Sequence, residues 1–598
     1  MSNQRHIIGR TVLELDSGTI ADVWELQETV SQLLKNQAMG ELDPLFSVLA
    51  DRDEVIGLDR VEVDLGPIAP HSLEQEFVPA LVRALREALG DHIVELRLPQ
   101  QRQSQSDTRP STRQTQATAH WDVFLYFLQY GRLPWWQKET HWQTWLGRWQ
   151  AVIVDTSSNN GPSNTSNWQQ PLLQLLAEQS TAQHRLITQF PQAFCHQLIR
   201  YLYPTRPACF RLLTQAHQLT ETLGLETSAQ STLDKAAIYL MFAELLEAGP
   251  SSTASFSALS WMRRWLDLLQ QPLLDQSSPF FLISTRMRQW FSTIRRSTLQ
   301  PSGQARSASA SRSAAAQAAY RQLYRALETI SVAERSLWQS AVEQVFAPSP
   351  SDVSPEDAEY DLAERQDADL SIDQAIAPDN GVSQESDRIL FPPELAEASV
   401  ADLFIGDEFI GDEATVGGLV DRSGLSPEEE VNGIYINQAG LVLLHPFLTN
   451  YFRAVGLVEG NAFCHDLARQ TAMYLLHYLA TGQTSAPEYE LVLPKLLCGW
   501  PLNEAISPDI YPPEEAFAEA EELLQTVINY WEALKNTSPD GLREGFLQRQ
   551  GKLTRVGNQQ WKLQVEPVAI DVLLSRLPWG VSMVKLPWMD ELLTVEWT

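Results

Sequence analysis

Two short stretches place a cysteine beside a histidine: "FCHQL" at 194–198 and "FCHDL" at 463–467. Two such pairs hold the ligand set of a Cys₂His₂ zinc site, and either pair alone holds the parts of a thiolate nucleophile with its base. The spacing argues against both. Adjacent residues rarely ligate one zinc ion in the usual spaced patterns. A catalytic cysteine needs a base placed across the fold and an oxyanion hole, and neither has a local signature here. Both pairs lie in apolar, helix-patterned surroundings, where cysteine serves as a small hydrophobe. His445, His465 and His477 are 20 and 12 positions apart, so none stands at i, i+4 from another.

Other groupings are read the same way. The tandem "FIGDEFIGDE" (404–413) is rich in carboxylates but lacks the alternate-position oxygens of a calcium loop, so it reads as a solvated acidic segment. Arg263, Arg264, Arg286, Arg288, Arg295 and Arg296 interleave with Trp261, Trp265 and Trp290, the composition of a base-stacking surface. The bland alternative is a pair of amphipathic helices with solvated arginine faces, and the acidic whole favours it. No GxxxxGK[ST], GxGxxG, GxSxG or HExxH sequence occurs. No catalytic constellation, metal site or cofactor site is expected.

The elements that would position any site follow from charge and periodicity. The chain has 598 residues and a net charge of −31, which repels nucleic acid and anionic lipid. Residues 347–431 hold 23 carboxylates against three arginines, so most of the acidity belongs to this one segment. Being rich in Pro, Asp, Glu and Ser and poor in aromatics, the segment reads as a disordered linker that extends by self-repulsion. Four cysteines with no CxxC pair, and an N-terminus that turns polar early, point to a reducing, cytoplasmic setting. The apolar run "AGLVLLHPFLTNYF" (439–452) is too short and too interrupted to span a membrane.

The first hundred residues read as α+β. "IIGRTVLEL", "LDRVEVDLG" and "HIVELRLP" are strand candidates. Between them "IADVWELQETVSQLLKNQ" and "LEQEFVPALVRALREALG" carry helical spacing, with Gly90 as a stop for the second. Six of the 18 tryptophans fall within 121–149, opening a helical region. Near the end, "LARQTAMYLLHYLATG" and "EEAFAEAEELLQTVINYWEALK" read as helices and "WKLQVE" as a strand. Pro446 biases His445 away from helix, so the apolar run reads as an extended entry followed by a helix through "FLTNYFRAVGL".

The fold class is therefore α+β, predominantly α-helical. A small α+β N-terminal domain spans 1–98 and a polar linker 99–119. A Trp-rich helical region spans 120–346, with internal linkers at 156–167 and 301–319. The disordered acidic linker occupies 347–431 and an α+β C-terminal domain 432–598.

Three blocks of this chain together resemble the tape-measure proteins of contractile injection systems. The first is "HIIGRTVLEL…GLDRVEVDLGPI", with Asp59, Asp64 and Gly66. The second is "FLYFLQYGRLPWW", with Gly131, Pro134 and Trp135. The third runs from "GLVLLHPFLTNYFRAVGL", with His445 and Pro446, through Gly482 to "VLLSRLPWGVSMVKLPWM", with Leu577, Pro578, Trp579, Pro587 and Trp588. The resemblance covers 1–98, 120–136 and 432–598 and implies structural roles for these residues, with no catalytic residues and no cofactor. It implies a protein that sets the length of an inner tube, with tube and baseplate-hub or cap proteins as partners. Self-association is left open, and neither nucleic acid nor membrane insertion is implied. A baseplate or cap adaptor and a tube-carried effector cargo are the alternatives. A fully helical chain of this length would span about 900 Å. Predicted strands and 34 prolines argue instead for folded ends joined by extensible middle segments.

Overall fold

In a computed structural model, the structure describes residues 6–9, 11–16, 23–49, 54–58, 60–97, 112–137, 142–157, 168–204, 206–224, 227–248, 257–274, 321–346, 424–557 and 560–597. Among these residues helices dominate, and three apolar cores organise them.

The smallest core belongs to the N-terminal part. Val30 and Leu33 from the helix Val23–Leu33 meet Phe77, Val78 and Leu81 from the helix Leu73–Arg97. That second helix does not stop at Gly90, and "HIVEL" is not a strand: the helix continues to Arg97. Leu89 and Ile93 continue its buried stripe, and Gly90 faces open space, so the glycine weakens the helix without ending it. Among described residues, 6–16 and 60–69 also form no strand. Val61, Val63, Leu65 and Ile68 still turn inward while Arg60, Glu62 and Asp64 stay exposed. The alternation was real, but among the described residues no strand pairs with it to make a ladder. Among the described residues of this part the strands are β1 (Glu54–Gly57) and β2 (Thr112–Thr115), paired antiparallel, and β2 comes from the expected polar linker.

The middle region packs helix on helix. Its core gathers Trp121, Phe124 and Phe127 of the helix Gln116–Tyr130 with Trp145 and Trp149 of the helix Trp142–Ser157. Trp261, Trp265 and Trp338 close its far end, with rings 5.7 to 6.4 Å apart. Trp261 and Trp265 are thus fully buried and unavailable to stack on bases. Arg264 pairs with Glu244, and the basic stretch from Arg286 to Arg296 lies outside the described residues.

The C-terminal core is built on a five-stranded sheet. Its order is β3 (Ile434–Ile436), β6 (Gly551–Arg555), β7 (Gln560–Val565), β9 (Leu592–Glu596), β8 (Met583–Val584). Only β7 and β9 run parallel; β4 (Val458–Glu459) and β5 (Ala462–Phe463) form a separate hairpin. The helices Asp466–Thr481 and Glu514–Tyr530 form as expected, and Ala520, Leu524 and Val527 bury the second helix's stripe. The entry to this domain is not extended. Ala439–Leu444 is a 3₁₀ helix, buried throughout, and His445 begins the helix His445–Ala454 at φ −52°, ψ −36°. Proline is tolerated in a first helical turn, where its missing N–H has no intrahelical partner to lose. His445 Nδ1 donates to the Val442 carbonyl at 2.9 Å, which holds the pre-proline residue in place.

Candidate functional site at the junction of the middle and C-terminal domains

The helix Gln116–Tyr130 ends at Gly131, which adopts φ +69° and donates its N–H to the Phe127 carbonyl at 2.8 Å. A left-handed cap of this kind reverses the chain at little cost only in glycine. Gly131 also sits against the C-terminal domain: a Cβ there would lie 2.3 Å from Glu488 Oε1. The next residue, Arg132, is buried. Its Nε donates to Glu429 Oε1 at 2.7 Å, and Nη2 donates to Glu429 Oε2 at 2.6 Å and to the Gly424 carbonyl at 2.7 Å.

Glu429 is held by the short helix Pro427–Asn432. Ser426 Oγ accepts from the Glu429 N–H at 3.2 Å, while the Ser426 N–H donates to Glu429 Oε2 at 2.8 Å. This capping box lies inside the segment 347–431 read from sequence as a disordered acidic linker: residues 424–431 of it are folded, and 347–423 lie outside the described residues. Charge composition outweighed the S-x-x-E signature in that reading. Tyr126 Oη lies 2.9 Å from Ser426 Oγ, and burial, then the Glu429 charge, hold its phenol above the ordinary range.

A second cluster sits beside the first. Arg185, on the helix Ser180–Gln189, donates from Nε to both oxygens of Glu488 at 3.1 and 3.2 Å. Its Nη1 donates to the carbonyls of Leu128 and Gln129, and its Nη2 to that of Asn503. Lys495 donates to Glu488 Oε1 at 2.7 Å and to the carbonyls of Leu502 and Glu504 at 3.1 and 2.7 Å. Burial pushes the Lys495 ammonium down to about 8, with Glu488 acting against that shift. Around this cluster Gln189 donates to the Ile506 carbonyl, Lys235 pairs with Asp509, and Tyr489 inserts among the middle domain's aromatics. Two buried charge clusters thus join residues nearly 300 or more positions apart in sequence. Charges so thoroughly removed from water persist only when paired and hydrogen-bonded, and here each charge has an ionic partner, with only Arg132 Nη1 among their nitrogens lacking a hydrogen bond.

The sequence-named motif residues fall into separate places. Asp59 lies outside the described residues. Asp64 Oδ1 accepts from the Gly66 N–H at 2.9 Å in an N-terminal turn where Gly66 has φ +70°. Gly131, Pro134 and Trp135 stand at the junction; Leu133, Pro134 and Trp135 line a cleft with Ile434 and Tyr435 of the edge strand β3. His445, Pro446, Gly482, Leu577, Pro578, Trp579, Pro587 and Trp588 lie in the C-terminal domain. Gly482 caps the helix Asp466–Thr481 at φ +72°. The two tryptophans act alike: Trp579 Nε1 donates to the Leu443 carbonyl at 3.0 Å and Trp588 Nε1 to that of Leu497 at 2.8 Å. The Trp579 ring meets Phe447, next to Pro446, at 5.1 Å, and the Trp588 ring meets Phe463 at 4.8 Å. The paired LPW motifs are staples that tie the chain's last segment to two helix ends.

The Cys-His pairs do not meet. Cys195 is fully buried in the middle core, where burial pushes its thiol up to about 12. Cys464 is exposed, and His465 caps the helix Asp466–Thr481 by accepting from the Ala468 N–H. Among the described residues no group of His, Cys, Asp and Glu is placed to hold a metal ion, and no helix is long and apolar enough to cross a membrane. Arg132, Arg185, Glu429, Glu488 and Lys495 were not legible as a set. Two of them carried a signal singly: Glu429 as the last residue of an S-x-x-E signature and Lys495 as a charge inside the apolar run "LVLPKLL".

A family model described as contractile injection system tape measure protein matches residues 5–597, nearly the whole chain, including the middle region that the motif resemblance left uncovered. No curated protein and no solved structure matches the chain.

Proposed function

Because the chain belongs to the contractile injection system tape measure proteins, length-determining structural components of those machines, we propose that it acts as a folded body at one end of the inner tube. One observation carries this reading. The buried pairs Arg132–Glu429 and Arg185–Glu488 join the middle and C-terminal domains into one body rather than leaving them as stations along an extended rod. The longest helix among the described residues has 25 residues, far short of a continuous ruler. A chain that was one unbroken helix would span about 900 Å, and these packed helices are not laid end to end in that way. A compact body suits contact with the tube end and with baseplate-hub or cap proteins, and the chain would be incorporated in the particle there.

Gene deletion followed by electron microscopy of particle number and length tests the proposal, together with a density label fused to the C-terminus. The expected result is few particles or a broadened length distribution without the protein, and label density at one end of wild-type particles. Label spread evenly along the lumen would overturn the end-body reading. Normal particles after deletion would overturn the assembly role and favour a carried cargo.

A further inference from the structure

The path of the chain between the two joined domains contains residues 347–423, which hold most of the protein's excess negative charge. In a linear ruler such a tract would be a spacer, and each residue in it would add length. The junction has a different consequence. The tract leaves the middle domain at the end of the helix Val332–Phe346, whose Trp338, Ala341 and Val342 are fully buried in the middle core. It returns at Gly424, whose carbonyl accepts directly from Arg132 of that same domain. Two residues later Ser426 meets Tyr126, and five residues later Glu429 closes the pair with Arg132. The described residues on both sides of the tract are therefore fastened to the middle domain.

We infer that the buried interface, and not the acidic tract, sets the spacing between the middle and C-terminal domains, so that the tract contributes nothing to the length this protein specifies. The physical reason is one of magnitudes. The entropy cost of closing a loop grows only logarithmically with its length, so doubling the loop changes it little. Separating the domains, by contrast, breaks the hydrogen bonds of Arg132, Arg185 and Gln189 across the junction together and pulls Tyr489 out of the middle core. Lengthening or shortening the tract cannot supply enough free energy to pull the domains apart. The inference rests on the end-body reading for its effect on particles, but its claim about the interface stands independently.

The test has two arms on the full-length protein. In the first, residues 371–410 are deleted, or that stretch is duplicated, and particle length is measured. A linear count predicts a change of roughly 60 Å if the stretch were helical and about 130 Å if extended. The expected result is an unchanged length distribution in both variants; a shift that tracks the number of residues would overturn the inference. In the second arm, a site-specific protease sequence is placed between Asp379 and Asn380 and the purified protein is cut. The two pieces are expected to co-elute as one species of the uncut size, and Arg132→Glu with Arg185→Glu should release them. Separation of the cut wild-type pieces at micromolar concentration would overturn the inference even if deleting the gene left particles normal, a result that would instead count against the end-body reading.

Discussion

Arg132 and Glu429 are 297 positions apart in sequence and share a two-point ion pair in which both side chains are all but fully buried. The planar guanidinium matches the carboxylate fork, so the pair fixes orientation as well as proximity. Glu429 is at the same time the third residue of its helix and closes the capping box with Ser426, so one side chain both starts a helix and joins two domains.

Truncating one partner should therefore be costly. Arg132→Ala leaves Glu429 buried without its cation and is expected to lower stability by about 3–5 kcal/mol. Replacing both residues with methionine should cost clearly less than the sum of the two single changes, because no charge is stranded. Chemical denaturation of the four proteins of this cycle checks the expectation, and additive costs would contradict it.

Gly131 and Gly66 have nearly the same backbone angle but different neighbours. Gly66→Ala meets open space and should cost about 1 kcal/mol of backbone strain. Gly131→Ala adds a collision with Glu488 and Arg185 and should cost roughly 2–4 kcal/mol. Thermal melts of the two variants should rank them in that order.

The LPW staples differ in exposure. Trp588 is buried and Trp579 half-buried. Trp588→Phe strands the Leu497 carbonyl away from water and should cost about 1–3 kcal/mol. Trp579→Phe lets water replace the lost donor and should cost about 1 kcal/mol or less. Urea midpoints at constant slope report both.

His477 is fully buried, accepts from Gln438 Nε2 at 2.9 Å, and is pushed by burial down to about 4. Glu490 lies 3.8 Å away and is pushed by burial up to about 7. The signs oppose. An unfolded histidine takes a proton below about 6.5 that the buried one refuses until about 4, so His477 costs stability as pH falls through that window. Glu490 keeps its proton up to about 7 when folded, so its contribution is present below the ordinary carboxylate range and is lost as pH rises towards 7. Wild-type stability should change little from these two groups between pH 6.5 and 4.5. Glu490→Gln removes the offset, and its stability should then fall with acidification by up to about 1.4 kcal/mol per pH unit. Denaturation series at several pH values measure the two slopes; equal slopes would contradict the assignment.

Much of the architecture was legible locally. The helices Glu514–Tyr530 and Asp466–Thr481 and the strand Gln560–Val565 were readable because each has a period that only one secondary structure can bury on one side. Where reading failed, a second condition was missing. Residues 60–65 kept their alternation but found no adjacent strand among the described residues, and the helix ran through Gly90 while Leu89 and Ile93 stayed buried on its apolar stripe. His445 went into a helix because its ring found a carbonyl one turn back.

The sequence by itself determined the helical class, the acidic tract between two folded regions and the ordered blocks that carry the family resemblance, since these depend on composition and on neighbours a few residues apart. Only the tertiary structure decided that the middle and C-terminal domains are one body. That outcome depends on which buried arginine meets which buried glutamate. A charged residue becomes a joint only once folding has removed it from water, and nothing within a few positions of Arg132 or Arg185 records that a carboxylate 297 or 303 residues away will be waiting.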